Sequence, residues 1–128
     1  MLNAFEHWFQ VCRGPLEAHG IRFEFYGKTV EQTVKANNLN ISYSQYEGTI
    51  RVWETGDCSI DLADMEADVS EPLGECSSFV ELHFNASAEL DSALSSFCEM
   101  LVKLPNKPAS ARAALHGYWQ SQPSSIYQ

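Results

Sequence analysis

The chain has 128 residues, which is the length of one average domain. Its 17 acidic and 8 basic side chains give a formal net charge of −9 at pH 7. Nucleic acids and anionic membranes attract clustered lysine and arginine, so this charge argues against both as partners. The longest apolar runs, such as Met100–Val102, are far shorter than the ~20 residues of a membrane-spanning helix.

The cysteines and the N-terminus bear on the cellular compartment. The four cysteines lie far apart and form no Cys-x-x-Cys pair: Cys12, Cys58, Cys76 and Cys98. The first residues lack the basic start and unbroken apolar core of a signal peptide. We therefore expect a cytoplasmic protein with reduced, mostly buried thiols and no zinc site.

The N-terminal segment shows helical spacing. Apolar residues recur at intervals of three and four over Leu2–Leu16, which predicts an amphipathic helix. Asn3 and Glu6 fit an N-terminal capping box. Gly14 and Pro15 predict a bend or an end, because proline has no amide hydrogen to donate.

The next part of the chain alternates apolar and polar residues, as half-buried strands do. The inward positions of five predicted strands are Ile21, Phe23 and Phe25; Leu39, Ile41 and Tyr43; Ile50 and Val52; Cys58, Ile60 and Leu62; and Val80, Leu82 and Phe84. Residues 28–37 are too polar to assign. Glu54–Asp57 is predicted to form a two-residue hairpin turn, with Gly56 where a positive φ is needed. Residues 64–76 contain five acids and are predicted to form a long exposed loop.

Helical spacing returns near the C-terminus. Leu90–Leu104 repeats intervals of four and three, with Ser87 as the predicted N-cap and Pro105 as the stop. Residues 109–119 can hold a short helix, and the last nine residues are expected to be loose. The order predicts an α+β domain in which an antiparallel sheet of four to five strands carries N- and C-terminal helices on one face. We assign residues 1–104 to this domain and residues 105–128 to a C-terminal extension.

No motif for catalysis is evident. The sequence contains no Gly-rich phosphate loop, no Gly-x-Ser-x-Gly and no His-x-x-x-His. Asp57, Asp61 and Asp64 do not follow the alternate spacing of a calcium loop, and carboxylates on a solvated surface are the commoner case. We predict no enzymatic activity, no metal and no cofactor. An enzyme whose cysteine, histidine or carboxylate site is assembled only by the fold stays an alternative.

Charge is segregated along the chain. Between Arg51 and Lys103 lie twelve acids and no lysine or arginine, a net charge of −12. Such a segment repels itself, which a purely structural role does not require. It favours either simple solubility or an acidic face that captures a basic partner. Trp53 is expected on the strand face opposite the buried residues, either as an exposed interface anchor or packed beneath a loop or the tail.

Several segments resemble the TriTu immunity proteins, small bacterial proteins encoded beside polymorphic toxins. These segments are Met1–Glu6 with Trp8 and Phe9, Ile50–Cys58 continuing to Ile60–Leu62, and Leu82–Phe84 with the helix that follows. The resemblance covers residues 1–104. It implies a protein that neutralises a secreted ADP-ribosyltransferase toxin acting on elongation factor Tu, by tight binding and without chemistry of its own.

The predicted partner-binding residues combine the tryptophan with neighbouring acids: Trp53, Glu54, Asp57, Asp61, Asp64, Glu66 and Asp68. We expect them to form an acidic surface that occupies the cofactor or target cleft of a basic toxin domain, in a 1:1 complex of a monomer. The resembling segments include only the first four of these positions. The alternative is a type III secretion chaperone, a small acidic protein that acts as a dimer and holds an effector before export.

Overall fold

The computed structural model describes residues 1–31, 34–65, 77–104, 111–122 and 125–127. The elements in chain order are α1 Leu2–Ala18, β1 Arg22–Glu31, β2 Val34–Tyr43, β3 Tyr46–Trp53, β4 Asp57–Asp64, β5 Ser77–His83, α2 Ser87–Lys103, α3 Ala111–Gln120 and β6 Ser125–Tyr127. The strands form one antiparallel sheet in the order β1-β2-β3-β4-β5-β6. The predicted α+β architecture, with an antiparallel sheet and helices at both ends, is confirmed.

Alternation along the strands separates the two faces of the sheet. Pairing aligns Phe25, Leu39, Ile50, Ile60 and Val80 in one row across β1 to β5. The three central residues of this row are fully buried, with 0% exposure. This row belongs to the apolar face, against which the helices pack.

The first helix covers the β1–β2 side of that face with aromatic rings. The Phe5 and Phe9 rings lie 6.0 and 5.2 Å from the ring of Phe25. Trp8 is buried beside α2 and donates its indole N–H to the Ser95 hydroxyl at 3.2 Å. Aromatic burial holds α1 against the sheet, and the hydrogen bond to Ser95 holds it against α2.

The first helix does not end at the predicted proline. Pro15 removes only the hydrogen bond to the Val11 carbonyl, and Val11 is 61% exposed, so water can satisfy that oxygen. The helix continues past Pro15 to Ala18, and Gly20, just beyond the C-cap His19, has a φ of +95°. The amides of Gly20 and Ile21 bond back to the carbonyls of Glu17 and Leu16, which is a Schellman ending.

Two predicted caps are also wrong. The helix α1 begins at Leu2, so Asn3 lies inside it and makes no cap. The helix α2 begins at Ser87, and the extended Ala86 is its N-cap without a side-chain hydrogen bond. Backbone geometry places both ends one or two residues from where side-chain preference alone predicts them.

The strands are longer than the alternating segments suggest. Polar residues 28–31 continue β1, and β2 already begins at Val34. The turn between β3 and β4 has three residues, Glu54 to Gly56, because the Gly56 amide bonds to the Trp53 carbonyl at 3.0 Å. The predicted two-residue turn is therefore wrong, whereas the predicted positive φ of Gly56 is confirmed at +95°. The predicted acidic loop falls mainly on residues 66–76, which lie outside the described residues.

The last helix belongs to the same core. Ala111, Leu115 and Tyr118 are buried, and the Tyr118 hydroxyl donates to the Ala93 carbonyl of α2 at 2.6 Å. The final residues are not wholly loose, since 125–127 pair with β5. An edge strand presents unpaired backbone groups, and β6 takes up part of that edge. Within the described ranges, no helix combines the length and hydrophobicity needed to cross a membrane.

Candidate binding face of the sheet

The sheet has a second face that points away from the helices, which we call the open face. It consists of the even-numbered residues of Arg22–Tyr26 and Ala36–Ser42, and the odd-numbered residues of β3, β4 and β5. Phe79 and Tyr26 are 65% and 56% exposed on it. No described helix packs there, but Ala36 and Asn38, at the Trp53 end, are only 0% and 6% exposed. The part of the face around Tyr26 and Phe79 is therefore the part open to a partner.

A row of paired residues crosses the middle of the open face: Glu24, Asn40, Thr49, Asp61 and Phe79. The Thr49 hydroxyl donates to Asn40 Oδ1 at 3.0 Å, and Asn40 Nδ2 donates to the Tyr26 hydroxyl at 3.4 Å. The Thr49 amide donates to Asp61 Oδ1 at 3.0 Å. These bonds hold the polar side chains in place before a partner arrives, which lowers the entropy cost of binding.

Asp61 is the electrostatic centre of this row. The neighbouring sheet removes part of the hydration of its carboxylate, which raises its pKa. The hydrogen bond from the Thr49 amide and the positive charge of Arg51 oppose that rise. An incompletely hydrated carboxylate gains more from an added cation than a freely solvated one does.

Trp53 lies at one end of the open face. Ile50 and Val52 are fully buried, so the prediction that Trp53 points away from them is confirmed. Its ring is half-buried, and the Arg51 guanidinium lies 5.8 Å from the ring centroid. Arg51 also donates from Nε to Asn38 Oδ1, which fixes the guanidinium over the ring.

The predicted partner-binding residues do not all share one surface. Trp53, Asp57 and Asp61 lie on the open face, and Glu54 is exposed in the β3–β4 turn. Asp64 pairs with the buried Tyr46 and, by alternation, belongs to the opposite face. The two remaining predictions, Glu66 and Asp68, lie outside the described residues.

Asp57 has a partner of its own. His83 Nδ1 lies 2.8 Å from Asp57 Oδ1, across the β4–β5 pairing. The hydrogen bond from His83, followed by that from Thr55, lowers the pKa of Asp57 below its ordinary value. Its carboxylate therefore helps to hold the β3–β4 turn against β5.

The Asp57 carboxylate should make stability depend on acidity. Because its pKa is lowered by folding, its contribution is present above the ordinary value of 3.8 and is lost as the pH falls below it. We expect Asp57→Asn to be less stable than the wild type near neutral pH, and the gap to narrow in acid. Urea unfolding of both proteins across this range measures the gap. A gap that is constant with pH would contradict a role for the ionised Asp57 carboxylate.

Some residues of the open face were missed from sequence. Phe79 alternates with the inward Val80, so strict alternation already indicated an outward aromatic ring. Glu24 and Glu47 gave no signal, because they lie outside the acidic segment between Arg51 and Lys103. Only the pairing of β1 to β4 brings them beside Asp61.

Cys58 and Cys98 are poor candidates for chemistry. Cys58 and Cys98 are buried, and burial raises the pKa of Cys98 to about 12 and that of Cys58 further. A nucleophilic cysteine needs a stabilised thiolate, which both sites disfavour. In the part of the chain that the structure describes, no three His, Cys, Asp or Glu residues are grouped to hold a metal ion.

Comparison with known proteins adds no relative. No protein-family model, curated protein or solved structure matches this chain.

Proposed function

We propose that this protein is an immunity protein that binds a secreted ADP-ribosyltransferase toxin and blocks it. The observation that carries the proposal is the open face, a rigid sheet surface with exposed aromatic rings and carboxylates and no described helix over it. Aromatic anchors ringed by polar groups are typical of protein interfaces. The resemblance to TriTu proteins supplies the class of toxin and its target, elongation factor Tu.

The size of the open face suits a protein partner. Five strands spaced ~4.8 Å apart, each ~7 residues long with a rise of ~3.3 Å per residue, give the open face a projected area of roughly 550 Å². A standard interface buries about 800 Å² on each partner. The β3–β4 turn with Glu54 extends the face toward that area, and we expect a 1:1 complex with a monomer.

Charge favours a basic toxin surface. The open face carries the carboxylates of Glu24, Glu47, Asp57, Asp61 and Glu81, against the arginines Arg22 and Arg51. A toxin that holds the pyrophosphate of NAD needs basic groups around its cleft. The open face would cover that cleft and exclude the cofactor or the target, without chemistry of its own. This inhibition would take place in the cytoplasm.

The proposal is tested by capture followed by inhibition. The tagged full-length chain is incubated with lysate of its own host at low and moderate salt, and bound proteins are identified by mass spectrometry. We expect one basic toxin domain, whose ADP-ribosylation of elongation factor Tu stops when one equivalent of this chain is added. A captured protein without that activity, or a toxin that stays active in the complex, would overturn the proposal. A secretion effector held by a dimer of this chain would instead identify the chaperone.

The open face should carry the binding energy. Trp53→Ala combined with Asp61→Lys is expected to weaken toxin binding by more than tenfold, since it removes an anchor and reverses a charge. Glu99→Lys changes an exposed carboxylate on α2, away from the open face, and is the matched control. Calorimetric titration measures each affinity, and circular dichroism checks the fold. Equal affinities of the double variant and the wild type would remove the open face from the mechanism.

A further inference from the structure

A groove of ≈ 380 Å³ lies on the open face where β1 to β4 run side by side. Among the described residues, its lining includes the carboxylates of Glu24, Glu47 and Asp61 and no lysine or arginine. Glu24 and Glu47 are exposed, so both carboxylates can be reached from solvent. The groove is therefore a place of concentrated negative charge with an open mouth.

The shape of the groove distinguishes between kinds of cation. The carboxylates are not grouped closely enough to hold one metal ion. Enclosed small-molecule sites are mostly apolar, whereas this groove is shallow and polar. Carboxylates spaced along a sheet instead suit a cationic side chain, which can share several acceptors through separate N–H groups.

Apolar side chains lie beside these carboxylates. Met65, which is 62% exposed, lines the groove at the end of β4. Phe79, which is 65% exposed, pairs with Asp61 in the sheet. The aliphatic stem of lysine or arginine packs on such surfaces while its charged head reaches polar groups.

We propose that this groove receives a lysine or arginine side chain from an extended, basic segment of the partner protein. Glu47 and Asp61, which lie on the neighbouring strands β3 and β4, bind the charged head, and Glu24 adds negative charge on the β1 side of the groove. Met65 and Phe79 contact the stem and a neighbouring apolar residue of that segment. The inference rests on the proposed function, in which the partner is a basic protein surface. It places the centre of partner recognition in the middle of the sheet.

A peptide titration tests the groove without the toxin. The probe is an acetylated and amidated hexapeptide of alternating lysine and leucine, and a glutamate–leucine peptide is its charge-reversed control. We expect the lysine peptide to shift the amide resonances of Thr49, Asp61 and Phe79 in the ¹⁵N-labelled full-length chain. The glutamate peptide should leave them unchanged.

Paired variants separate local recognition from net charge. Glu24→Gln with Glu47→Gln should weaken peptide binding by about tenfold or more, because two of three carboxylates are lost. Asp91→Asn with Glu99→Gln removes the same charge from exposed positions of α2 and should weaken binding less than about twofold. Equal weakening in both pairs, or shifts centred on α2, would overturn the proposal.

The groove and the immunity function can fail separately. If the toxin is captured and inhibited equally well by the Glu24→Gln, Glu47→Gln variant, the groove inference is wrong and the immunity function stands. If the lysine peptide binds at the groove and no toxin is captured, the immunity function is wrong and the groove stands.

Discussion

Gly56→Ala is expected to lower the free energy of unfolding by about 3 kcal/mol. Gly56 has a φ of +95°, which L-residues rarely adopt, and an added Cβ would overlap the Phe84 carbonyl oxygen. Relief of that overlap must move the β3–β4 turn away from the end of β5. It would also break the hydrogen bond from the Phe84 amide to the Gly56 carbonyl, now 2.9 Å long. Urea unfolding followed by tryptophan fluorescence measures the change.

Gly117→Ala is the matched control for this substitution. Gly117 lies within α3, and an added Cβ there meets nothing within 4 Å. Alanine is favoured over glycine inside a helix, so we expect a gain of about 0.5–1 kcal/mol. Equal effects of the two substitutions would show that the turn geometry of Gly56 is not what matters.

Truncation after Leu104 is expected to abolish cooperative folding. The missing residues include Leu115 and Tyr118, which are 0% and 5% exposed in the core shared with α2. Burying each large side chain contributes about 1.5–3 kcal/mol. Phe97, which is buried against Tyr118 and would be exposed by the truncation, adds a similar loss. The sum of ~5 kcal/mol or more is comparable to the total stability of a small domain, about 5–15 kcal/mol.

A less severe truncation, which keeps α3, isolates the contribution of that helix. The chain ending at Gln122 keeps α3 and lacks only the three-residue strand β6 and its neighbours. We expect it to unfold cooperatively, with a midpoint close to that of the full-length protein. Thermal unfolding by circular dichroism compares the three lengths. A folded 1–104 fragment would show that α3 is dispensable for the core.

Local patterns predicted the layers of this fold well. Alternation in β2 to β5 identified the buried positions, because one face of each strand is apolar. The helix boundaries were less predictable. Gly14 and Pro15 predict a bend or an end, and Gly20 predicts a break in the chain direction. In the structure α1 continues past Pro15, Leu16 packs on the core, and the Schellman ending lies at Gly20. Similarly, β6 has too few residues to show a period of its own.

The candidate site was less accessible to sequence reasoning. Acidic density drew attention to the segment after Arg51, although strict alternation already separates Asp64 from Asp57 and Asp61, as the pairing of β3 and β4 shows. Glu24 and Glu47 come from an earlier part of the chain with ordinary charge. They join Asp61 only through strand register, and register is a property of paired strands rather than of any single segment.

The sequential order of the strands has a consequence for biosynthesis. Each strand pairs with the strand before it, so the hairpins can form within about 1–10 μs once both strands are available. The Phe5 and Phe9 rings can pack on β1 early, but the partner of Trp8 in α2 lies 87 residues further along. At ~5–20 residues per second, ribosomes take roughly 4–17 s to reach it. During those seconds, the Trp8 side of α1 stays open to chaperones or to aggregation.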